Sequence, residues 1–329
     1  MRLLVTGGAG YIGGIVAEDL LAAGHQVTVL DSLVRGRREA VPAAAHFVQA
    51  DVGDGAALAA LFGSSRFDAV LHFAAFIEAG EAVAKPEMYL QNNAAKTAVL
   101  LSMMLAHGVR RLVFSSTAAV YGDCGSAPVT EDAPLAPTNP YGESKAFVER
   151  ALESLHREQG LCYASLRYFN AAGAAGGRGE QHQPESHLIP RVLDVALGRA
   201  PDIAIFGADY ATPDGTCIRD YVHVADLAAA HRLALAALES RRRLVCNVGI
   251  GRGYSVREVI ETARRVTGHA IPARDTPRRA GDPAVLVAAA ERARREMGWR
   301  PQRSSPTAIL GSAWHWLQAH PRGYGEGGA

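Results

Sequence analysis

The sequence has few cysteines and few lysines, and it contains no long apolar run. Its four cysteines are scattered and form no Cys-x-x-Cys pair, which argues against a zinc site and a disulfide framework. No apolar stretch reaches the roughly 18 residues that a membrane-spanning helix requires. A net charge of +1 gives no overall field that would attract nucleic acid or a membrane. The first residues lead directly into an apolar strand and lack the features of a signal peptide. We therefore expect a cytoplasmic protein without a metal site.

The scarcity of lysine makes one tyrosine–lysine pair conspicuous. The three lysines are Lys85, Lys96 and Lys145, and the last stands four residues after Tyr141. Ten tyrosines and three lysines in 329 residues give only about 0.1 such pairs by chance. On a helix, this spacing puts both side chains on one face, where the ammonium can lower the pKa of the phenol and make it a general base. A surface pair on a helix is the alternative that these two residues alone leave open.

A glycine-rich turn links the first predicted strand to the first predicted helix. Residues 3–6 form an apolar strand pattern, the turn carries Gly7, Gly10 and Gly13, and a helical pattern covers 15–23. Glycines here let the backbone approach a pyrophosphate, whose oxygens bind the free N–H groups at the start of a helix. The position between a strand and a helix predicts a dinucleotide site, with a purely structural turn as the alternative.

An acidic residue after the second strand indicates which dinucleotide is bound. Residues 26–30 form that strand, and Asp31 follows it about 20 residues beyond the turn, where a carboxylate can accept from a ribose 2′-hydroxyl. Its charge would repel a 2′-phosphate, which favours NAD over NADP. Arg35, Arg37 and Arg38 could argue the other way, but a charge run on a loop more commonly forms a solvated face. The predicted cofactor is NAD.

The alternation of strand and helix patterns continues and predicts the fold class. Further strands are expected at 46–50, 69–73, 112–115 and 163–167, with a long helix over 86–107. Such alternation predicts an α/β protein with a Rossmann-type doubly wound parallel sheet, whose ligands lie beyond the carboxyl ends of the strands. We expect this domain to cover 1–170. A smaller α/β substrate-binding domain should cover 171–329, with some of that chain returning to the Rossmann core.

Together these motifs resemble the extended short-chain dehydrogenase/reductase family. That family has a glycine-rich turn, a Ser or Thr after the fifth strand, here Thr117, and Tyr-x-x-x-Lys on the next helix. The resemblance implies that Thr117 hydrogen-bonds the substrate oxygen, Tyr141 exchanges its proton, and Lys145 holds the nicotinamide ribose and lowers the tyrosine pKa. The motifs and the resemblance give these expected cofactor contacts: Gly7, Gly10, Tyr11, Ile12, Gly13, Asp31, Ser32, Asp51, Val52, Phe73, Ala74, Ala75, Asn92, Ser115, Tyr141, Lys145 and Tyr168.

The two residues after Thr117 restrict the reaction. Nucleotide-sugar dehydratases of this family have Asp-Glu there, which supplies the acid and base that remove water, whereas this sequence has Ala118 and Ala119. No motif marks the cationic pocket that a sugar-acid decarboxylase would need. The resemblance therefore implies 4-epimerisation, which requires only reversible hydride transfer.

The second half of the chain resembles the substrate half of the UDP-hexose 4-epimerases. The matching segments are 168–173, 187–190, 203–207, 214–224 and 278–283, and the match extends over essentially the whole chain. It implies a UDP-hexose substrate, with arginines that suit its two phosphates, and a homodimer. The expected substrate contacts are Thr117, Tyr141, Asn170, His187, Leu188, Phe206, Arg219, Tyr221, Arg279, Asp282 and Leu286.

Two departures from that family's pattern leave alternatives open. Ile77 stands where some epimerases have a lysine near the cofactor, so one cationic contact is missing or moved. Leu286 stands where the family has a residue that sets the size of the accepted sugar, and a leucine makes N-acetylated UDP-hexoses conceivable substrates. A net sugar-nucleotide dehydrogenase and a non-catalytic dinucleotide sensor are the other functional alternatives.

Overall fold

Seven parallel strands form the large sheet of the protein. The computed structural model describes residues 1–125, 127–279 and 281–325, and the strands in those ranges are β1 (Arg2–Thr6), β2 (Gln26–Asp31), β3 (His46–Gln49), β4 (Ala69–His72), β5 (Arg111–Thr117), β6 (Cys162–Tyr168), β7 (Asn170–Ala172), β8 (Ile203–Phe206), β9 (Ile218–His223), β10 (Arg243–Val248), β11 (Gly253–Ser255), β12 (Ala273–Thr276) and β13 (Val285–Leu286). The large sheet has the order β10-β6-β5-β4-β1-β2-β3, and all its neighbours are parallel. This order reverses direction at β1 and confirms the predicted doubly wound Rossmann-type sheet.

Helices cover both faces of this sheet. In the described ranges they are α1 (Tyr11–Ala22), α2 (Gly55–Ser64), α3 (Ala79–Ala84), α4 (Pro86–Tyr89), α5 (Lys96–Ala106), α6 (Pro140–Gln159), α7 (Leu188–Ala196), α8 (Val224–Ala237), α9 (Val256–Thr267), α10 (Glu291–Met297) and α11 (Pro306–Ala319). Apolar side chains of α1 and α8 pack in one core cluster, and those of α2, α5 and α6 pack in another. Because both faces are covered, β1 carries consecutive buried apolar residues rather than an alternating pattern. None of the helices in the described ranges is both long and apolar enough to cross a membrane.

The first helix begins earlier than its sequence pattern predicts. We expected it at residue 15, after the glycines, whereas it begins at Tyr11 with Gly10 as its N-cap. Gly13 therefore lies in the first turn, where a β-carbon would stand 2.2 Å from the carbonyl oxygen of Gly7. Glycine is required at this position because two backbone segments approach each other closely. Its low helix propensity is the reason that the sequence pattern placed the start of the helix too late.

The predicted helix over 86–107 is interrupted by a π-helical turn. Pro86–Tyr89 and Lys96–Ala106 are α-helical, and Leu90–Ala95 between them forms the wider turn without leaving helical geometry. Such turns often occur at functional sites because they re-aim side chains. Here the turn carries Asn92 and Asn93, both of which bear on the site described below.

The second half of the chain builds smaller sheets and also returns to the large one. Helices α7, α9 and α11 share an apolar core with β8 and β9. Strand β9 pairs with β7, β11 and β13, whereas β10 joins the edge of the large sheet beside β6. The chain therefore crosses between the two parts more than once, and the domain boundary at residue 170 stays a prediction.

A buried ion pair connects α6 to the large sheet. Both oxygens of the Glu149 carboxylate accept from the guanidinium of Arg167 on β6, and one of them also accepts from the hydroxyls of Ser116 and Ser165. The side chains of Glu149 and Arg167 are 5% and 7% exposed. This network fixes the position of the helix that carries Tyr141 and Lys145.

Removing the charge of Glu149 should destabilise the fold strongly. Glu149→Gln keeps the shape of the side chain but leaves the Arg167 charge buried without a counterion, so we expect the free energy of unfolding to fall by about 3–5 kcal/mol. The matched control is Glu143→Gln on the same helix, because the Glu143–Arg150 pair is about half exposed and is expected to contribute less than about 1 kcal/mol. Urea denaturation measures both; equal losses would contradict a structural role for the buried pair.

Candidate functional site

A cavity of about 600 Å³ opens at the carboxyl ends of the parallel strands. This is the edge of a doubly wound sheet at which ligands bind. Every residue predicted to contact the cofactor lines this cavity, from Gly7 after β1 to Tyr168 at the end of β6. Six of the predicted substrate residues line it as well: Thr117, Tyr141, Asn170, His187, Leu188 and Tyr221.

The glycine turn forms one wall of the cavity and is compatible only with glycine. Gly7 has a φ of +74°, and a β-carbon there would lie 2.4 Å from the amide nitrogen of Ala74, in the loop after β4. The backbone of the turn is therefore open to the cavity at the start of α1. Free N–H groups at such a helix start suit a pyrophosphate, so this wall fits the phosphates of a dinucleotide.

Two carboxylates lie at the ends of β2 and β3. The Asp31 side chain accepts from the backbone N–H groups of Ala9 at 3.0 Å and Leu33 at 2.9 Å, and burial raises its pKa. The Asp51 carboxylate forms a 2.6 Å ion pair with Lys96, which lies on α5. Both line the cavity beside the glycine turn, where the sequence predicts the adenosine half of NAD to lie.

The predicted catalytic groups meet at the ends of β5 and α6. Asn139 caps α6, since its side chain accepts from the Gly142 amide at 2.9 Å, and Tyr141 stands in the first turn. One turn later, the Lys145 ammonium donates to the carbonyl of Ser115 on β5 at 2.8 Å. Thr117 ends the same strand and faces the same cavity. The three side chains therefore lie around one space, held by the bond between Lys145 and Ser115.

The expected lowering of the Tyr141 pKa by Lys145 is not found in the chain alone. Burial raises the pKa of Tyr141 to about 12; the Thr117 side chain opposes this shift and the charge of Glu78 adds to it. Burial also lowers the pKa of Lys145 to about 7, against the effect of Glu149. The expectation assumed a solvated ammonium beside the phenol. In the structure Lys145 is buried and Tyr141 is partly buried, and desolvation disfavours the charged form of each.

A second group of predicted substrate residues lies outside the cavity lining. The guanidinium of Arg279 lies 3.8 Å from the centre of the Phe206 ring, and Arg219 faces Asp282 at 3.6 Å. Arg219 also donates to the carbonyl of Pro283 at 2.8 Å. Leu286 on β13 is the register partner of Arg219 on the neighbouring parallel strand β9. These five residues cluster together, as the resemblance implied, but none of them lines the cavity.

Strand β9 connects this cluster to the cavity. Arg219 and Tyr221 are two positions apart on β9, so their side chains emerge from the same face of the strand. Tyr221 lines the cavity, and Asn170, on the paired strand β7, donates to the carbonyl of Asp220 at 3.0 Å. One residue of each group, Arg219 and Tyr221, therefore lies on the same strand.

Asn93 is a site-organising residue that the sequence interpretation missed. Its side chain accepts from the Phe76 amide at 2.8 Å and donates to the Phe76 carbonyl at 2.9 Å. It also donates to the hydroxyl of Ser144 on α6 at 3.2 Å. Asn93 thus joins the loop after β4, which includes Ile77 and Glu78 in the cavity wall, to the helix with Tyr141. A pair of asparagines inside a helical pattern was the available signal.

Two arginines expected on a solvated face also line the cavity. Arg35 donates to the carbonyl of Gln183 at 2.9 Å and pairs with Glu81 at 2.8 Å, and Arg37 donates to the side-chain oxygen of Gln183 at 2.8 Å. Both residues remain accessible to solvent, as predicted, but the sequence could not show their partners, which are distant along the chain. Other lining residues that the sequence did not indicate are Gln91, Glu180, Gln181, His182 and Tyr324.

Comparison with known proteins agrees with this geometry. A profile of the NAD dependent epimerase/dehydratase family matches residues 3–249. The chain belongs to this family.

Similar members of the family share nearly the full length of the chain. The UDP-glucose 4-epimerase of Streptomyces lividans is 52% identical over 328 residues, which cover 99% of each protein. That of Corynebacterium glutamicum is 49% identical over 97% of this chain and 96% of its own. Among solved structures, the UDP-glucose 4-epimerase of Stenotrophomonas maltophila, with bound NAD and formylated UDP-arabinopyranose, has a TM-score of 0.94 at 42% identity and covers 98% of this chain and 99% of its own.

Replacing Gly7 should impair both the turn and cofactor binding. In Gly7→Ala the β-carbon would meet the Ala74 backbone, so we expect the NAD content of the purified protein to fall about tenfold or more as the turn is displaced from the phosphates. Gly24→Ala is the control, because Gly24 has a comparable φ of +84° but no atom within 4 Å of the added carbon.

The control variant carries the backbone strain without the collision. It should lose about 1–2 kcal/mol of stability and keep its NAD. Absorbance of the released nucleotide measures the content, and an equal loss of NAD in both variants would contradict the proposed role of Gly7.

Proposed function

We propose that this protein is a UDP-glucose 4-epimerase, which interconverts UDP-galactose and UDP-glucose with NAD through reversible oxidation at C4 of the sugar. The observation that carries this proposal is that Thr117, Tyr141 and Lys145 lie around one cavity. The glycine turn lines the same cavity. The near-full-length similarity to UDP-glucose 4-epimerases supports the same activity.

NAD fits the wall formed by the first half of the chain. The turn at Gly7 and Gly13 would hold its phosphates, and Asp31 would accept from a ribose hydroxyl. Bound NAD⁺ supplies a reversible acceptor for the hydride on C4 and a positive ring charge that opposes the effect of burial on Tyr141. Lys145, fixed to the Ser115 carbonyl at 2.8 Å, is placed to hold the second ribose.

Tyr141 is the group that moves the proton. As a phenolate, its oxygen would take the proton of the C4 hydroxyl as C4 is oxidised to a ketone, and would return it after the sugar presents its other face. The Thr117 hydroxyl, at the end of β5, would hydrogen-bond the same sugar oxygen. Hydride leaves and returns within one cycle, so the cofactor is unchanged at the end and no second substrate is needed.

The residues after Thr117 support epimerisation over dehydration. Ala118 is 3% exposed and begins a short 3₁₀ turn with Ala119. Neither position carries an acid or a base, so the chain supplies no group there that could remove water from the sugar. Proton and hydride transfer at C4 is the chemistry that remains for this arrangement.

The cluster around Arg219 is proposed to bind the uridine diphosphate. Arg279 stacked on Phe206 forms a flat face suited to a base, and Arg219 and Arg279 are planar donors suited to phosphates. Arg219 of this cluster lies two residues before Tyr221 on β9. One extended ligand could therefore reach both the cluster and the cavity. Asp282 would meet the ribose of the nucleotide.

Nothing in the structure favours N-acetylated sugars over this substrate. Leu286, which was expected to set sugar size, packs against the core cluster of Ala118, Phe169 and Ala288 and does not line the cavity. Its influence on substrate size stays a prediction.

A homodimer and a cytoplasmic location are further parts of the proposal. Val83, Leu90 and Phe147 are large apolar residues with exposures of 66%, 41% and 49%. They lie on α3, the π-helical turn and α6, and α6 contacts both of the other two elements. Helices with exposed apolar residues of this kind suit association with a second copy. Light scattering of the purified protein tests the dimer.

Incubation of the purified protein with UDP-galactose, without added cofactor, tests the activity. We expect UDP-glucose to form, because the retained NAD is not consumed. A requirement for added NAD(P)H, or net oxidation or reduction of the cofactor during turnover, would instead identify a sugar-nucleotide dehydrogenase.

Replacing Tyr141 should abolish most of the turnover while the substrate still binds. Tyr141→Phe removes the proton-exchanging oxygen, and we expect kcat to fall by about 10²–10⁴-fold. Tyr163→Phe is the control, since Tyr163 lies near the amino end of β6 and does not line the cavity. Steady-state kinetics with UDP-galactose measure both variants, and near-normal turnover of Tyr141→Phe would remove this residue from its role.

A further inference from the structure

Four metal-ligating side chains converge in the segment between β7 and α7. Glu180, His182, Glu185 and His187 each offer one ligand atom, and these atoms all lie within 4.8 Å of one another. The segment forms part of the cavity wall through Glu180, His182 and His187. The hydride and proton chemistry proposed above uses none of these four side chains as a reacting group.

Four distances between nitrogen and oxygen atoms of these side chains are close to the edge length of a tetrahedral ligand shell. The Nδ1 atom of His187 lies 2.9 Å from Glu180 Oε1 and 3.0 Å from Glu185 Oε1. The Nδ1 atom of His182 lies 3.3 Å from Glu180 Oε1 and 3.6 Å from Glu185 Oε2. Ligands bound to Zn²⁺ at about 2.0–2.1 Å in a tetrahedron stand about 3.3–3.4 Å apart, which is the middle of this range.

Hydrogen bonding alone accounts poorly for the arrangement. Each imidazole turns the same nitrogen, Nδ1, toward both carboxylates, although a single N–H can make only one well-aligned bond. Among the residues that the structure describes, none provides a hydrogen-bond partner in acceptable geometry for the buried Nδ1 of His182. This nitrogen nevertheless points into the cluster, as a metal ligand would.

The charge of the cluster calls for a cation. The side chains of Glu180 and Glu185 are only 7% and 16% exposed, and buried carboxylates are costly unless a positive charge compensates them. Without a metal, protonated imidazoles would supply this charge, because the neighbouring carboxylates raise the pKa of His182 and His187 against the effect of burial; with neutral imidazoles, one divalent ion would balance the two carboxylates. Glu185 is already oriented for this role, because its Oε1 accepts from the backbone amides of Ser186 and His187, both at 2.8 Å.

We propose that Glu180, His182, Glu185 and His187 bind a single divalent transition-metal ion, of which Zn²⁺ is the best fit. Two imidazole nitrogens and two carboxylate oxygens suit zinc better than magnesium or calcium, which require oxygen ligands. This proposal departs from the expectation of no metal site, which rested on the cysteines alone.

The location of the site indicates a structural role for the ion. His182 packs edge-on against the ring of Tyr11 in the glycine turn, with centroids 6.3 Å apart, and the Tyr11 hydroxyl donates to the carbonyl of Gly173 at 2.6 Å. The bound ion would fasten the segment from 180 to 187 against that turn. It would also fix the backbone at His187 and Leu188, where α7 begins in the cavity wall. All four protein ligands leave no open position for substrate, so the ion does not take part in the reaction.

Metal content and stability of tag-free protein test the proposal. After dialysis against EDTA, the full chain with its NAD is titrated with Zn²⁺ and passed over a desalting column, and bound metal is measured by mass spectrometry. We expect about one ion per chain and a higher melting temperature, because a ligand that binds only the folded state stabilises it. Absence of bound zinc in the intact wild-type protein would overturn the proposal.

Two ligand variants and a matched histidine variant locate the ion. His182→Gln and Glu185→Gln should weaken Zn²⁺ binding by more than about 100-fold, since each removes one of the four ligands, whereas His315→Gln, at an exposed histidine on α11, should bind like the wild type. Unchanged binding in both ligand variants would show that the ion lies elsewhere.

Anomalous diffraction from wild-type crystals at the zinc edge locates the bound ion without any substitution. The proposal requires a peak within about 2.0–2.2 Å of the four ligand atoms. A peak at any other position, with none here, would contradict it.

Discussion

The hydrogen bond from the Lys145 ammonium to the Ser115 carbonyl, at 2.8 Å, is the contact on which the arrangement of the site depends. It joins α6 to the end of β5, and so it sets the position of Tyr141 relative to Thr117. Lys145 is 3% exposed, and a buried ammonium needs such a partner because it has lost its water. The same burial that makes this bond necessary also shifts the protonation of both groups, which is why their pKa values in the chain alone differ from those expected of an exposed pair.

The surrounding structure supports this contact from two sides. Glu149, one turn after Lys145 on α6, is held by Arg167 of β6, and Asn93 ties the loop after β4 to Ser144 of α6. Helix α6 is therefore fixed to three different segments of the chain near the cavity. Rigid placement of this kind is what a proton-exchanging group requires, since small displacements of reacting groups reduce rates greatly.

The features that the sequence predicted well are those with local causes. The strand–turn–helix unit around Gly7 and Gly13, the acidic residue at Asp31 and the helical spacing of Tyr141 and Lys145 each depend on a few neighbouring residues, and the structure places all of them at one cavity. The pattern could not show that Arg35 meets Gln183, or that Asn93 meets Phe76, because these contacts join segments that are distant along the chain. Nor could it reveal that Glu180, His182, Glu185 and His187 converge, because they alternate with other residues on a loop without regular periodicity.

The central claim is that one hydride leaves C4 of the sugar and returns to the same carbon within a closed site. Epimerisation of UDP-galactose that carries deuterium at C4 tests this claim most directly, with nuclear magnetic resonance of the UDP-glucose formed. We predict that the product retains deuterium at C4, because the transferred atom never exchanges with water. Product with hydrogen from the solvent at C4 would show that the carbon is inverted by another route and would contradict the account.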